Sequence, residues 1–152
     1  MGREDGHAIL SSTCFQLGIA GAQITRSFSL LIQHTGLTHK QVGLLAVVDA
    51  DQASFQREIA SQLGVTPSLV VSLVDQLASI GAVRRTRSQT DRRVQVIEIT
   101  DDGRQLLRLA TDAAKKLDTD LRKHLSHADL QALDRLLPAL LQASSVAADN
   151  RA

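Results

Sequence analysis

The hydrophobic pattern of this chain changes period once, at Gly81, and that change does most to limit what the chain can become. Upstream, Ile59, Ala60 and Leu63 recur at helical spacing as far as Gly64. After Thr66 and Pro67 the same spacing returns in Val70, Leu73, Val74 and Leu77. Downstream of Gly81, residues 82–87 and 94–99 read as strands, the second alternating apolar and polar side chains. The six polar residues between them, 88–93, make a hairpin tip. Gly64 suits a left-handed helix C-terminus, Thr66 an N-cap and Pro67 the first helical position, so helices are predicted over 55–63 and 67–79. Two short helices joined by a glycine turn, then a hairpin, leave few folds open.

The flanks are helical. Leu17, Ala20, Ile24, Phe28 and Leu31 predict a long amphipathic helix over 11–34, preceded by a polar, frayed segment at 1–10. Thr38 with Gln41 is a capping-box pattern, Val42, Leu45, Ala46 and Val48 supply a buried side, and the polar stretch from Asp49 to Gln52 stops that helix. Thr100 caps a helix that opens with Asp101 and Asp102 and carries Leu106, Leu109, Ala113, Leu117 and Leu121. Ser126 and Asp129 begin a last one with Leu130, Leu133, Leu137 and Leu141, in which Pro138 is expected to produce a kink or an early end. These leucine stripes exceed what two lone helices can bury, which calls for a partner chain. The fold class expected is mostly α with a small β-hairpin.

Charge is informative by distribution, because the net value is only +1. Five arginines, at 84, 85, 87, 92 and 93, share ten positions with one acid, Asp91. Phe15, Phe28 and Phe55 are the only aromatic residues, which argues against a single-strand binder that stacks bases on rings. One cysteine, Cys14, excludes an intramolecular disulfide and a cysteine-based zinc site. No apolar run spans a bilayer and the first residues lack a signal peptide's apolar stretch, so a cytoplasmic address and no membrane partner are expected. No phosphate loop, nucleophile elbow or metal-binding helix motif is present, so an enzyme is not expected, nor a cofactor. His124 and His127 flank the start of a predicted helix and are read as surface, not as metal ligands.

A helix-turn-helix lays its second helix in the major groove, and an adjoining hairpin can reach the minor groove or phosphates. In the 67–79 helix the buried set leaves Ser68, Leu69, Val71, Ser72 and Asp75 outside. Thr66, Ser68 and Ser72 can bond phosphates or base edges, and Leu69 and Val71 can touch thymine methyl groups.

The run Ile59-Ala60-Ser61-Gln62-Leu63-Gly64-Val65, then Leu73-Val74-Asp75-Gln76-Leu77, Gly81-Ala82-Val83-Arg84-Arg85, Asp91-Arg92-Arg93 and Ile99-Thr100-Asp101-Asp102-Gly103 closely resembles the MarR (multiple antibiotic resistance regulator) family. The resemblance implies one domain over 1–152: a winged helix-turn-helix lobe at 37–100 flanked by dimerisation helices at 11–34 and 101–146. It implies a homodimer reading a pseudo-palindromic double-stranded operator, and a repressor released by a small molecule, often an aromatic acid. The DNA face is expected to comprise Thr66, Pro67, Ser68, Leu69, Val71, Ser72, Arg84, Arg85, Arg87, Asp91, Arg92 and Arg93. Arg93 is the implied minor-groove residue, and Asp91 the one that fixes the wing. Many members carry a long polar residue where this chain has Ser72.

The resemblance also places an effector pocket between the first helices and the DNA-binding lobe, to which Arg26, His34 and His39 could contribute. Cys14-Phe15 is similar to the sensor region of the hydroperoxide-sensing branch, but that branch surrounds the thiol with tyrosines, and this chain has none. A buried, inert thiol is expected, with redox-sensing repression as an alternative. The other alternative is a winged helix used for sequence-blind DNA packaging or protein contact.

Overall fold

The computed structural model describes residues 2–51 and 54–149, as two compact units divided between Ala114 and Lys115. In chain order the elements are α1 (Gly2–Ser11), α2 (Thr13–Leu31), a 3₁₀ turn (Gln33–Thr35), α3 (His39–Asp49), α4 (Gln56–Leu63), α5 (Pro67–Ser79), β1 (Val83–Arg87), β2 (Gln95–Ile99), α6 (Asp101–Arg122) and α7 (His127–Asp149). The expected class, mostly α with one β-hairpin, is the class observed.

α3 is the hub of the first unit. The expected capping box is formed: Thr38 Oγ1 accepts from the Gln41 N–H, and Gln41 Oε1 accepts from the Thr38 N–H. The helix buries Val42, Leu44, Leu45, Val47 and Val48, more of its circumference than one stripe, because other elements cover it on several sides. Ala46, expected inside, is exposed. Of the polar stretch that ends α3, Gln52 lies outside the described residues.

Around α3 the core gathers Ile32 and Leu37, Ile59 of α4, Val70, Val74 and Leu77 of α5, and Val83, Ile97 and Ile99 of the hairpin. β1 and β2 pair antiparallel with Val83 opposite Ile99 and Arg87 opposite Gln95. On β2 the expected alternation puts Ile97 and Ile99 inward. The backbone N–H of Ile97 also donates to the Ser54 carbonyl, so the hairpin is tied to the segment before α4.

The hairpin's base is locked to α6. Thr100 Oγ1 accepts from the Gly103 N–H at 3.0 Å, the N-cap expected, and donates to the Gly81 carbonyl at 2.6 Å. The Thr100 N–H donates to the Ala82 carbonyl at 3.1 Å. Gly103 is buried here, and a Cβ on it would lie 2.0 Å from that same carbonyl oxygen. The glycine is therefore required by close approach, and it sets how tightly the wing's root meets α6.

Four expectations are corrected. Residues 2–11 are helical, with Glu4 and Asp5 in the favourable first turn; the hydroxyls of Ser11 and Ser12 then donate back to carbonyls of α1 and close it. The helix expected over 11–34 is thus split at Ser12, and its far end tightens into the 3₁₀ turn. Its stripe is not internal: Phe28 and Leu31 pack on the core, while Leu17, Ala20 and Ile24 are exposed. Pro138 does not end α7, because the one hydrogen bond it removes is from an exposed turn where water can satisfy the freed carbonyl.

In the second unit, Ser126 and Asp129 cap α7 reciprocally, as their spacing predicts. Arg122 bridges Asp118 in its own helix and Asp134 in the next. The Arg122 guanidinium holds the Asp134 carboxyl below the ordinary aspartate range.

Candidate nucleic-acid interface

α4 and α5 are joined by a turn that the sequence specifies residue by residue. Gly64 sits in the left-handed region at φ 62°, and its N–H closes onto the carbonyls of Ala60 and Ser61. Thr66 Oγ1 then accepts from the Leu69 N–H at 3.4 Å, and Pro67 occupies the first helical position. With Val70, Leu73, Val74 and Leu77 buried, α5 turns outward Pro67, Ser68, Val71, Ser72, Asp75 and Gln76. Leu69 departs from expectation: it is half-buried and packs on the core, so Val71, 39% exposed, is the exposed apolar residue of this face.

The arginines of the hairpin fall into two groups that their sequence clustering does not separate. Arg84 pairs with Glu98 across the hairpin at 2.8 Å, and Arg85 pairs with Asp75 of α5. The hydrogen bond from Arg84, then that from the Thr86 hydroxyl, holds the Glu98 carboxyl below the usual glutamate range. Arg87, Arg92 and Arg93 make no ion pair among the described residues. Arg84 and Arg85 thus neutralise acids, and Arg85 docks the wing on α5; the unpaired positive charge lies on Arg87 at the end of β1 and on Arg92 and Arg93 at the tip.

The tip is shaped by side chains bonding to backbone. The buried Ser88 hydroxyl accepts from the N–H groups of Thr90 and Asp91 at 3.3 and 3.4 Å. Asp91 Oδ1 accepts from the Arg93 N–H at 2.9 Å. Asp91 therefore grips the backbone of Arg93 and leaves its guanidinium free. Ser88 escaped sequence reasoning, although a serine three residues before an aspartate in a polar loop is a local turn signal.

Arg57 is a second omission. It lies in the first turn of α4 and shares an open cleft with Phe55, Gln56, Arg93, Val94 and Gln95. Neither Arg57 nor Arg93 has an ion-pair partner among the described residues, and none of the six lining residues is acidic. Two arginines without ion-pair partners give this cleft a positive lining, with the Glu58 carboxylate nearby on the Phe55 N–H.

The proposed effector residues are less assembled. Arg26, His34 and His39 lie on α2, the 3₁₀ turn and the start of α3; all are exposed, and their side chains have no hydrogen-bond or ion-pair partner among the described residues. Cys14, expected to be buried, is exposed, with the Ser12 hydroxyl 3.5 Å from its sulfur. Among the described residues no helix is long and apolar enough to cross a membrane.

The profile of the MarR family matches residues 35–94, which run from the 3₁₀ turn to the wing tip. A Thauera aromatica protein, named for regulation of the hcr operon, is 32% identical over 121 residues, 79% of this chain and 73% of its own length. The chain belongs to the MarR family. TtmR of Methylorubrum extorquens, an HTH-type transcriptional regulator, is also 32% identical, over 69% of this chain; the match spans 54% of TtmR, about half its length. Among solved structures, the repressor CouR bound to a 23-mer DNA duplex superposes with a TM-score of 0.77 at 28% identity, covering 86% of this chain and 92% of CouR. CouR from Rhodococcus jostii RHA1 has also been solved with p-coumaroyl-CoA, and that structure gives a TM-score of 0.75 at 25% identity, over 87% of this chain and 93% of CouR. The MarR relatives are transcriptional regulators rather than enzymes.

Proposed function

We propose that this MarR-family protein is a sequence-specific double-stranded DNA-binding transcriptional regulator. The observation that carries the reading is the division of charge around α5. Arg85 anchors the wing to the recognition helix through Asp75, while Arg87, Arg92 and Arg93 are left unpaired beyond it. In this reading Thr66, Pro67, Ser68, Val71 and Ser72 meet the major groove, with Leu69 at the edge of the contact. Arg92 and Arg93 reach the minor groove and Arg87 its phosphates, and Asp91 fixes the backbone that presents Arg93. Arg84 and Arg85 act mainly by holding the wing in place. Arg57 adds a phosphate contact where α4 crosses the backbone.

The active form is a homodimer on a pseudo-palindromic site. The support is the apolar surface left on single-chain helices: Leu17 and Ile24 on α2, and Leu136, Leu137 and Leu141 on α7, each at least 43% exposed. The protein represses by occupying its operator and is released by a small aromatic acid or its derivative, with Arg26, His34 and His39 contributing to the pocket. The support for an effector of this class is CouR with its p-coumaroyl-CoA ligand. Redox release through Cys14 has no comparable support, since no basic side chain contacts its sulfur among the described residues.

Competition between a duplex selected from a randomised pool and unselected duplex tests the reading. A regulator prefers its site by ~10³-fold or more. Equal affinity for both would mean sequence-blind packaging, and no affinity for either would make the winged helix a protein-contact module.

A further inference from the structure

Ser72 is bonded inward by a relay whose polarity follows from one unambiguous donor. The backbone N–H of Thr38 must donate, so the Gln41 side-chain atom 2.8 Å from it is the carbonyl oxygen. The other end of that amide, Nε2, has only hydrogens to offer. It meets Gln76 at 2.8 Å, which makes the Gln76 atom Oε1. Gln76 Nε2 is then the group that faces Ser72 Oγ at 3.2 Å, and the serine must accept. Gln41 is buried, with 8% of its surface exposed, so its amide has little freedom to turn over.

A serine in a helix usually donates its proton to the carbonyl four residues back. Ser29, Thr111 and Ser144 do so here, but Ser72 makes no such bond. Its hydroxyl proton is therefore unspent, on an exposed position of α5.

We infer that Ser72 serves as a hydrogen-bond donor toward DNA, and that Gln41 and Gln76 are positioning residues that impose this polarity. The inference rests on the proposed DNA-binding role and refines it. A hydroxyl held as a donor selects acceptors: purine N7, guanine O6, thymine O4 or a phosphate oxygen. With one lone pair taken by Gln76, it matches the amino groups of adenine N6 or cytosine N4 less well, because only its second lone pair is left to accept from them. A short side chain can thus discriminate between bases because its orientation is set from behind by the capping residue of α3.

The test uses the duplex that the wild-type protein selects from a randomised pool, and the variants Ser72→Ala, Gln76→Glu and the double variant. Glutamate keeps an oxygen for Gln41 Nε2 but presents a second acceptor to Ser72, so the hydroxyl turns inward. Ser72→Ala should weaken binding to the selected duplex about 5-fold, the worth of one neutral hydrogen bond. Gln76→Glu should weaken wild-type binding more than it weakens the Ser72→Ala protein, where only the added charge acts, giving a coupling of about 5-fold. Repeated selection with Gln76→Glu should shift one position toward adenine or cytosine. A loss in Ser72→Ala confined to one base pair assigns the acceptor to a base edge, and a uniform loss assigns it to a phosphate. Unchanged binding by Ser72→Ala, or costs that simply multiply in the double variant, would overturn the donor role while leaving the DNA-binding reading intact. A wild-type protein that selects no duplex would overturn both.

Discussion

Arg93 and Asp91 have separable roles. Asp91 bonds the Arg93 backbone and not its guanidinium, so it contributes order to the tip and no charge to the contact. Arg93→Ala should cost ~1–3 kcal/mol in binding to a selected duplex, whereas Asp91→Ala should cost less and leave the salt dependence unchanged. Equal losses from the two, measured by fluorescence anisotropy, would contradict this division. Glu98 offers a pH test at the same scale. Its folded-state pKa is depressed, first by the Arg84 hydrogen bond, so the stability it contributes is present above its unfolded value, near 4.5. That contribution is lost as pH falls through the lower folded value. Carboxyl NMR should place the Glu98 midpoint below 4.5, and Arg84→Ala should move it up toward that value.

At the scale of elements, the wing's root depends on a contact that leaves no room for a methyl group. Gly103→Ala would drive a Cβ to 2.0 Å from the Ala82 carbonyl oxygen, and backbone cannot yield as a flexible side chain can. The expected cost is ~1–3 kcal/mol, or a fall in Tm of ~2–4 °C per kcal/mol for a chain of this size. An unchanged melting curve would show that α6 and the hairpin are not packed as described. Gly103 also illustrates what was legible in the sequence. Its place after Thr100 belonged to the quoted family pattern, and the periodicities on either side of Gly81 predicted α4, α5, β1 and β2 closely. The Thr38, Thr66 and Ser126 caps were readable because they act over three residues. What escaped needed longer range. That Arg84 and Arg85 are already paired depends on Glu98 and Asp75, brought near only by strand register and helix docking. Arg57 reaches the Arg93 cleft only because α4 and the wing meet in space. Leu69 looked free because its neighbours Val70 and Leu73 already filled an inner face, and only packing shows that the core extends to it.

For the whole molecule, the exposed leucines carry the argument for a second copy. Leu17 and Leu137 are 46% and 48% exposed, on helices that also expose Ile24, Leu136 and Leu141. Leu17→Glu and Leu137→Glu should each shift the protein toward monomer in sedimentation velocity. They should weaken binding to a two-half-site duplex far more than to a single half-site. A wild-type protein that stays monomeric at all concentrations would remove the dimer from the account.

The central claim, that α5 and the wing together read double-stranded DNA, is tested most directly by hydroxyl-radical footprinting on a selected duplex. Two protected segments are expected, separated by about one helical turn, roughly 34–36 Å between recognition helices. Each should be flanked by minor-groove protection that disappears in Arg93→Ala. Uniform protection along the duplex, or flanking protection that survives Arg93→Ala, would contradict it.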